Sequence, residues 1–240
     1  MSDDIQENGE KLLENYLEDA IFQIFLAMNI STPGSFNCYS RHLYSLGSID
    51  IYNYSSSTIE SAWIESINFG WPTIKRLDLS DVWIWIQQLK LTGRQIAFNS
   101  TDSSLFSILN ICREENVNPT QLIWVSSALE GLYDTPKGQI SKTLVDRIIL
   151  FLGVPENGKR KFKKRIRELY DLRSRFVHGE LEVAHPVYKL NPLENINEYE
   201  GILISNIDFG VSIIIATLQK MIEMKWTKIK FYEQIQGEQY

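Results

Sequence analysis

From Leu12 to Met28 the apolar residues Leu13, Tyr16, Leu17, Ala20, Ile21, Ile24, Phe25 and Met28 return at steps of three and four, the spacing of one helix face. The spacing predicts an amphipathic helix that closes before Ser31-Thr32-Pro33-Gly34. The stretch from there to Ser57 is rich in Ser, Tyr, Asn and Gly and has no period, so irregular surface chain is expected. Short helices are expected around Thr58 to Asn68 and, behind the start signal Ser80-Asp81, from Val82 to Leu91. The run Val82-Trp83-Ile84-Trp85-Ile86 also suits a strand.

Beyond residue 100 the pattern becomes regular. Thr101-Asp102 reads as a helix start ahead of Leu105, Ile108, Leu109 and Cys112. After Asn118-Pro119, the set Leu122, Val125, Leu129 and Leu132 predicts a helix that ends near Pro136-Lys137-Gly138. Ile140, Leu144, Ile148 and Phe151 predict the next, ending at Gly153-Val154-Pro155. Short connections between these helices favour antiparallel neighbours in a bundle. A further helix is expected from Lys159 to Phe176. A last long one carries Ile204, Ile207, Val211, Ile214, Leu218 and Met221, with Ile213 and Ile215 widening its apolar face. So wide a face belongs in the middle of a bundle or against a second subunit.

The pattern implies an all-α helical bundle with an N-terminal helical and irregular extension. Its 240 residues, 44% of them hydrophobic, suffice for a substantial core. No internal repeat or low-complexity tract interrupts it. The aromatics Trp63, Trp71, Trp83 and Trp85 are expected to pack the extension onto the bundle.

Charge and cysteine content narrow the function classes. A net charge of -6 excludes a globally basic nucleic-acid coat, yet a local basic patch can still draw a polyanion to one surface. Cys38 and Cys112 lie far apart without metal-ligand spacing, so neither a disulfide framework nor a zinc site is indicated. The acidic start Met-Ser-Asp-Asp is unlike a signal peptide, and the apolar run Phe209 to Leu218 is too short to span a bilayer. A cytoplasmic protein with no membrane partner, metal or cofactor is expected.

Positive charge is concentrated in one place. Lys159, Arg160, Lys161, Lys163, Lys164, Arg165, Arg167, Arg173 and Arg175 crowd a single predicted helix of an acidic chain. A solvated helix face is the plain explanation, and contact with phosphates is the functional one. The inward stripe of this helix reads Phe162, Ile166, Leu169, then Arg173, then Phe176 and Val177. A guanidinium on such a stripe needs a partner, for which Glu130 on an earlier helix is the candidate. His178 follows Arg173 by five residues, which turns it by roughly 140° on a straight helix. Gly179 suggests that the helix stops there, so a loosened last turn or a second copy of the segment is needed to aim both groups at one point. A histidine at a helix C-terminus can also serve simply as a cap. His42 and His185 lack any such context and are expected at the surface, and Asp208, a polar intrusion in the last helix, is expected to act as a cap or at an interface.

The run Leu169-Tyr170-Asp171-Leu172-Arg173-Ser174-Arg175-Phe176-Val177-His178-Gly179 resembles the signature of the HEPN superfamily, especially its Apea-like branch, which carries Tyr-Asp-x-Arg-Ser followed by His-Gly. Ala128-Leu129-Glu130 and the helix with Arg147 are similar to the preceding helices of that branch. The resemblance covers residues 100 to 225, leaving 1 to 99 as the extension and 226 to 240 as a tail. It implies a HEPN bundle that forms a homodimer, faces two motifs across a cleft and cuts RNA without metal, as toxins and phage-defence effectors of the superfamily do under a regulatory partner protein. Carried over, Arg173 would hold the scissile phosphate, His178 would act as acid or base and Ser174 would orient substrate or Arg173. Arg175, Lys163 and Arg167 would bind substrate, and Glu130, Tyr170, Asp171 and Gly179 would support the motif. The residue after the motif arginine is often Asn, Asp or His in active relatives, whereas this chain has Ser174. The chemistry is economical, because RNA brings its own 2′-hydroxyl nucleophile and an imidazole suits proton transfer near neutral pH. The same features also fit a non-catalytic HEPN module that binds RNA, a nucleotide or a protein.

Overall fold

The computed structural model of the chain describes residues 2–39, 53–114, 116–136, 140–183 and 196–232. Eight α-helices fill these segments: α1 (Ser2–Ser31), α2 (Ser57–Phe69), α3 (Leu79–Leu89), α4 (Ser100–Arg113), α5 (Thr120–Leu132), α6 (Ile140–Ile148), α7 (Lys159–Val177) and α8 (Ile196–Glu223). No strand occurs among the described residues, and the sole extended pairing there is an isolated antiparallel bridge between Cys38 and Tyr54. The protein is all-α.

The centre is α8. It packs against α1, α2, α3, α5 and α7, and every residue from Asn206 to Gln219 is buried. The helix is long and apolar enough to cross a membrane, but most of that apolar stretch lies inside the bundle. Its wide apolar face is therefore covered by the chain's own helices, and not by a second subunit. Gly210 explains how the neighbours come so close: a methyl group there would overlap the side chains of Val125 on α5 and Leu169 on α7.

One core cluster runs from Phe22 on α1 to Ile229 beyond α8. Trp71 and Trp85 are buried in it, Trp63 packs partly against it and Trp83 stays largely exposed. Buried polar groups are tied across elements, since an unpaired one costs more than its bond returns. Gln219 on α8 donates to the carbonyls of Ile30 and Lys75, both at 2.8 Å, and accepts from the Lys75 N–H at 3.1 Å. The Tyr133 hydroxyl meets Thr217 at 2.6 Å. Past α8, Thr101 donates to the Thr227 carbonyl and Phe231 stacks near Tyr133, which docks the described part of the tail.

Several local expectations move by a few residues, each for a capping reason. Helix α3 starts before Ser80-Asp81, because Asp78 is its N-cap and accepts from the Ser80 N–H at 2.7 Å and the Ser80 hydroxyl at 2.6 Å. Those bonds hold the Asp78 carboxyl below the usual carboxylate range. The Trp-rich run is helix and not strand, with Val82, Trp85, Ile86 and Leu89 inward and Trp83 and Ile84 outward. Helix α4 is capped by Asn99, which accepts from Thr101 and Asp102. Asp102 itself is fully buried and paired with Arg94. At α5, Asn118 and Gln121 bond reciprocally around Pro119, Asn118 accepting from Thr120 and Gln121 accepting from the Asn118 N–H. Beyond α6 the chain makes a π-helical turn at Ile149–Gly153 and a short 3-10 turn at Glu156–Gly158 before α7 begins.

Candidate functional site on helix α7

Helix α7 sorts its residues by face. Phe162, Ile166, Leu169 and Leu172 are buried. Arg173 continues the inward stripe and is half-buried where α7 meets α5. Three buried polar atoms there complete no hydrogen bond of good geometry: Arg173 Nε, the Tyr170 hydroxyl and Glu130 Oε1. Burial and then the Glu130 carboxylate push the Tyr170 phenol well above its ordinary range, while the Arg173 guanidinium works against them. The expected Arg173–Glu130 staple is thus a loose triad around Tyr170, without a closed ion pair.

The end of α7 is set by Gly179. His178 is the C-cap, its N–H donating to the Ser174 carbonyl at 3.0 Å. Gly179 takes a left-handed φ of 72° and donates to Phe176 at 3.2 Å, and Glu180 donates to Arg175 at 2.8 Å. This pair of bonds is a Schellman closure, and glycine is the residue whose backbone enters it without steric cost. The His178 side chain is exposed, as are those of Asp171, Ser174 and Arg175. The last turn does not loosen enough to bring Arg173 and His178 together. Within one chain Arg173 faces α5 and His178 faces solvent.

The remaining cations fall into two groups. Arg165 is tied down: it pairs with Glu65 on α2 at 3.1 Å, donates to the Ser205 carbonyl and hydroxyl at 2.8 Å each, and lies over the Phe209 ring. Lys161 sits over the Phe69 ring. Lys159, Arg160, Lys163, Lys164 and Arg167 instead line an open groove of about 490 Å³ on the opposite side. Lys159 pairs with Glu156 and Lys164 lies 3.5 Å from Glu168. Among the described residues Arg160, Lys163 and Arg167 make no ion pair.

Arg175 does not belong with Lys163 and Arg167. It lines a second groove of about 610 Å³ between α7 and α8, with Arg165, Glu168, Glu198, Ser205 and Asn206 among its walls. Tyr199 on α8 lies nearby, its phenol raised by burial and Glu182 and lowered by Arg175.

Asp208 is neither a cap nor part of the motif. It accepts a short hydrogen bond from Ser61, locking α8 to α2. Burial raises its carboxyl to about 6, with Glu65 adding to the rise and Ser61 opposing it. Nothing in the sequence marked Ser61 or Glu65, because their partners Asp208 and Arg165 are 147 and 100 residues away. His42 and His185 lie outside the described residues. Both cysteines are buried, and burial pushes the Cys112 thiol well up. Among the described residues no three acidic, histidine or cysteine side chains gather in a way that could hold a metal.

Fold and site together define an all-helical bundle protein whose cationic helix ends in an exposed histidine. In comparison with known proteins, the chain matches no family model, no curated protein and no solved structure.

Proposed function

We propose that the protein is a HEPN-type endoribonuclease that works without metal as a homodimer in the cytoplasm, as a toxin or phage-defence effector held in check by a partner protein. The observation that carries this reading is the end of α7: the Tyr170-Asp171-x-Arg173-Ser174 run, the exposed His178 and the Gly179 closure fall on one basic helix. In the reaction a ribose 2′-oxygen bonds to the adjacent phosphorus and the bond to the 5′-oxygen breaks. The products are a 2′,3′-cyclic phosphate and a 5′-hydroxyl. His178 takes the proton from the 2′-hydroxyl or gives one to the leaving oxygen, and Arg173 steadies the charge on the phosphoryl oxygens. Because Arg173 and His178 diverge on one helix, each active centre draws one of them from the twin chain.

A second reading has its own support. Arg173 is half-buried beside Glu130 and Tyr170, a setting that also suits a structural arginine in a non-catalytic module that binds RNA. One experiment separates the two. Purified protein incubated with structured RNA in excess EDTA yields cyclic-phosphate ends, and His178→Ala abolishes them while leaving the Tm unchanged. Intact RNA that co-migrates with the protein would establish the binding module instead.

A further inference from the structure

The five cations that line the first groove are spaced so as to repel one another. Lys159 and Lys163, Arg160 and Lys164, and Lys163 and Arg167 stand four residues apart on α7, and each such like-charged pair destabilises a helix by about 0.2–0.5 kcal/mol. The first turn of α7 contains no acidic residue to offset this. The chain has acid to spare elsewhere, with 30 Asp and Glu against 24 Lys and Arg. On the other side of the same helix it places Glu65 against Arg165. Among the described residues Arg160, Lys163 and Arg167 on this face have no acidic partner whereas Arg165 on the other does, which indicates a surface that is neutralised in part from outside.

The direction of the stripe supplies the ligand's shape. Eighteen residues separate Arg160 from His178, which is about five complete helical turns, so the two share one face of α7. Arg167 and the exposed Asp171 both lie within roughly 20° of the same line, and the distance from Arg160 to His178 along the axis is about 27 Å, of which the cations Arg160 to Arg167 occupy the first ~10 Å. A compact anion would touch one end of such a track. A chain of regularly spaced phosphates would follow it.

We propose that Arg160, Lys163, Lys164 and Arg167 form a track for the phosphodiester backbone of a single nucleic-acid strand and lead that strand toward His178. The proposal deepens the nuclease reading by giving the strand its path, and its binding half stands whether or not the strand is cut. Arg175 faces the other groove and is not part of the track.

The test uses the full chain and an all-deoxy strand, which has no 2′-hydroxyl and so cannot be cleaved. Its affinity is measured across a salt series for the wild type, for Arg160→Gln/Lys163→Gln/Arg167→Gln and for the control Lys225→Gln/Lys228→Gln/Lys230→Gln. Each phosphate contact on a single strand contributes about 0.7 to the slope of log affinity against log salt, so the track variant should lose about 2 from that slope. At about 0.1 M salt it should also bind at least tenfold more weakly, while the control stays within about twofold of wild type. Affinity should rise with strand length until the strand covers about 27 Å. Equal losses in track and control variants would reduce the effect to net charge and overturn the proposal. So would saturable binding of ATP at these residues as tight as that of the strand, which would make this a small-ligand site. A normal salt slope in the track variant would remove the track even if RNA is still cut, whereas a reduced slope in a protein that cuts no RNA would leave the track standing and sink the nuclease reading.

Discussion

Arg173 and His178 sit five residues apart on α7 and meet different surroundings: the arginine is half-buried with its Nε enclosed, and the histidine is exposed at the helix cap. Their separation of roughly 140° around the axis follows from helix geometry, and the Schellman closure at Gly179 leaves no slack to reduce it. The two positions should therefore respond differently to truncation.

Arg173→Ala removes the cation nearest the Tyr170 hydroxyl and leaves Glu130 half-buried without it. The expected loss is about 1–3 kcal/mol, the usual cost of stranding a buried polar partner. His178→Ala, at an exposed cap whose bonds run through the backbone, should stay within about 0.5 kcal/mol of wild type. Urea unfolding of both variants checks this. A large loss for His178→Ala would mean that its imidazole carries structure, and its loss of activity could then not be read as chemistry.

The helical periodicity made most of this fold legible. Residues on one face at steps of three and four located α1 and α4 to α8 and singled out Arg173 as the polar break in an inward stripe. Helix starts were harder to read, because several residues near each boundary have capping chemistry: Asp78 and Asn99 cap the helices for which Ser80-Asp81 and Thr101-Asp102 read as the start signals. The split among the cations was not legible either. Which of them are paired depends on Glu65 and Ser205, which reach α7 only through tertiary packing.

Asp208 makes folding pH-dependent. Its carboxyl titrates near 6 in the folded chain against an ordinary value of 3.8, because burial disfavours the charge. The folded state therefore holds the proton more tightly, and stability falls as pH rises from about 4 to about 6, with the full penalty present above that. Asp208→Asn keeps an oxygen for the Ser61 hydroxyl and removes the charge. At pH 7 to 8 the variant should be more stable by on the order of 2 kcal/mol, and near pH 4 the two should converge. Thermal melts across this pH range check the sign, and an advantage that grows toward acid would refute the assignment.

Arg94 and Asp102 give the opposite case of a buried acid with a cation. The Asp102 carboxylate is fully enclosed at the start of α4, where it accepts from Arg94 and from the Phe98 N–H at 3.2 Å. Removing the arginine leaves a buried charge without a counterion, so Arg94→Ala should cost about 3–5 kcal/mol. Arg94→Ala/Asp102→Asn should recover much of that loss. A double variant as unstable as the single one would show that packing of the Arg94 side chain, and not the charge, carries the effect.

Gly210 sets the distance at which α8 can pass between α5 and α7. A methyl group there would overlap Val125 and Leu169, both fully buried and unable to swing aside into solvent. Gly210→Ala should therefore destabilise by about 1–3 kcal/mol despite alanine's better helix propensity, because overpacking exceeds the propensity gain of about 1 kcal/mol. Val125→Ala adds room at the point of overlap, so Gly210→Ala/Val125→Ala should be less unstable than the sum of the two single changes. Since Leu169 lies on the same helix as Arg173 and His178, the strain should also reach the site: RNA affinity or cutting should fall in Gly210→Ala and return in the double variant. Simple additivity in both stability and activity would show that α7 and α8 can separate at this point without disturbing the end of α7.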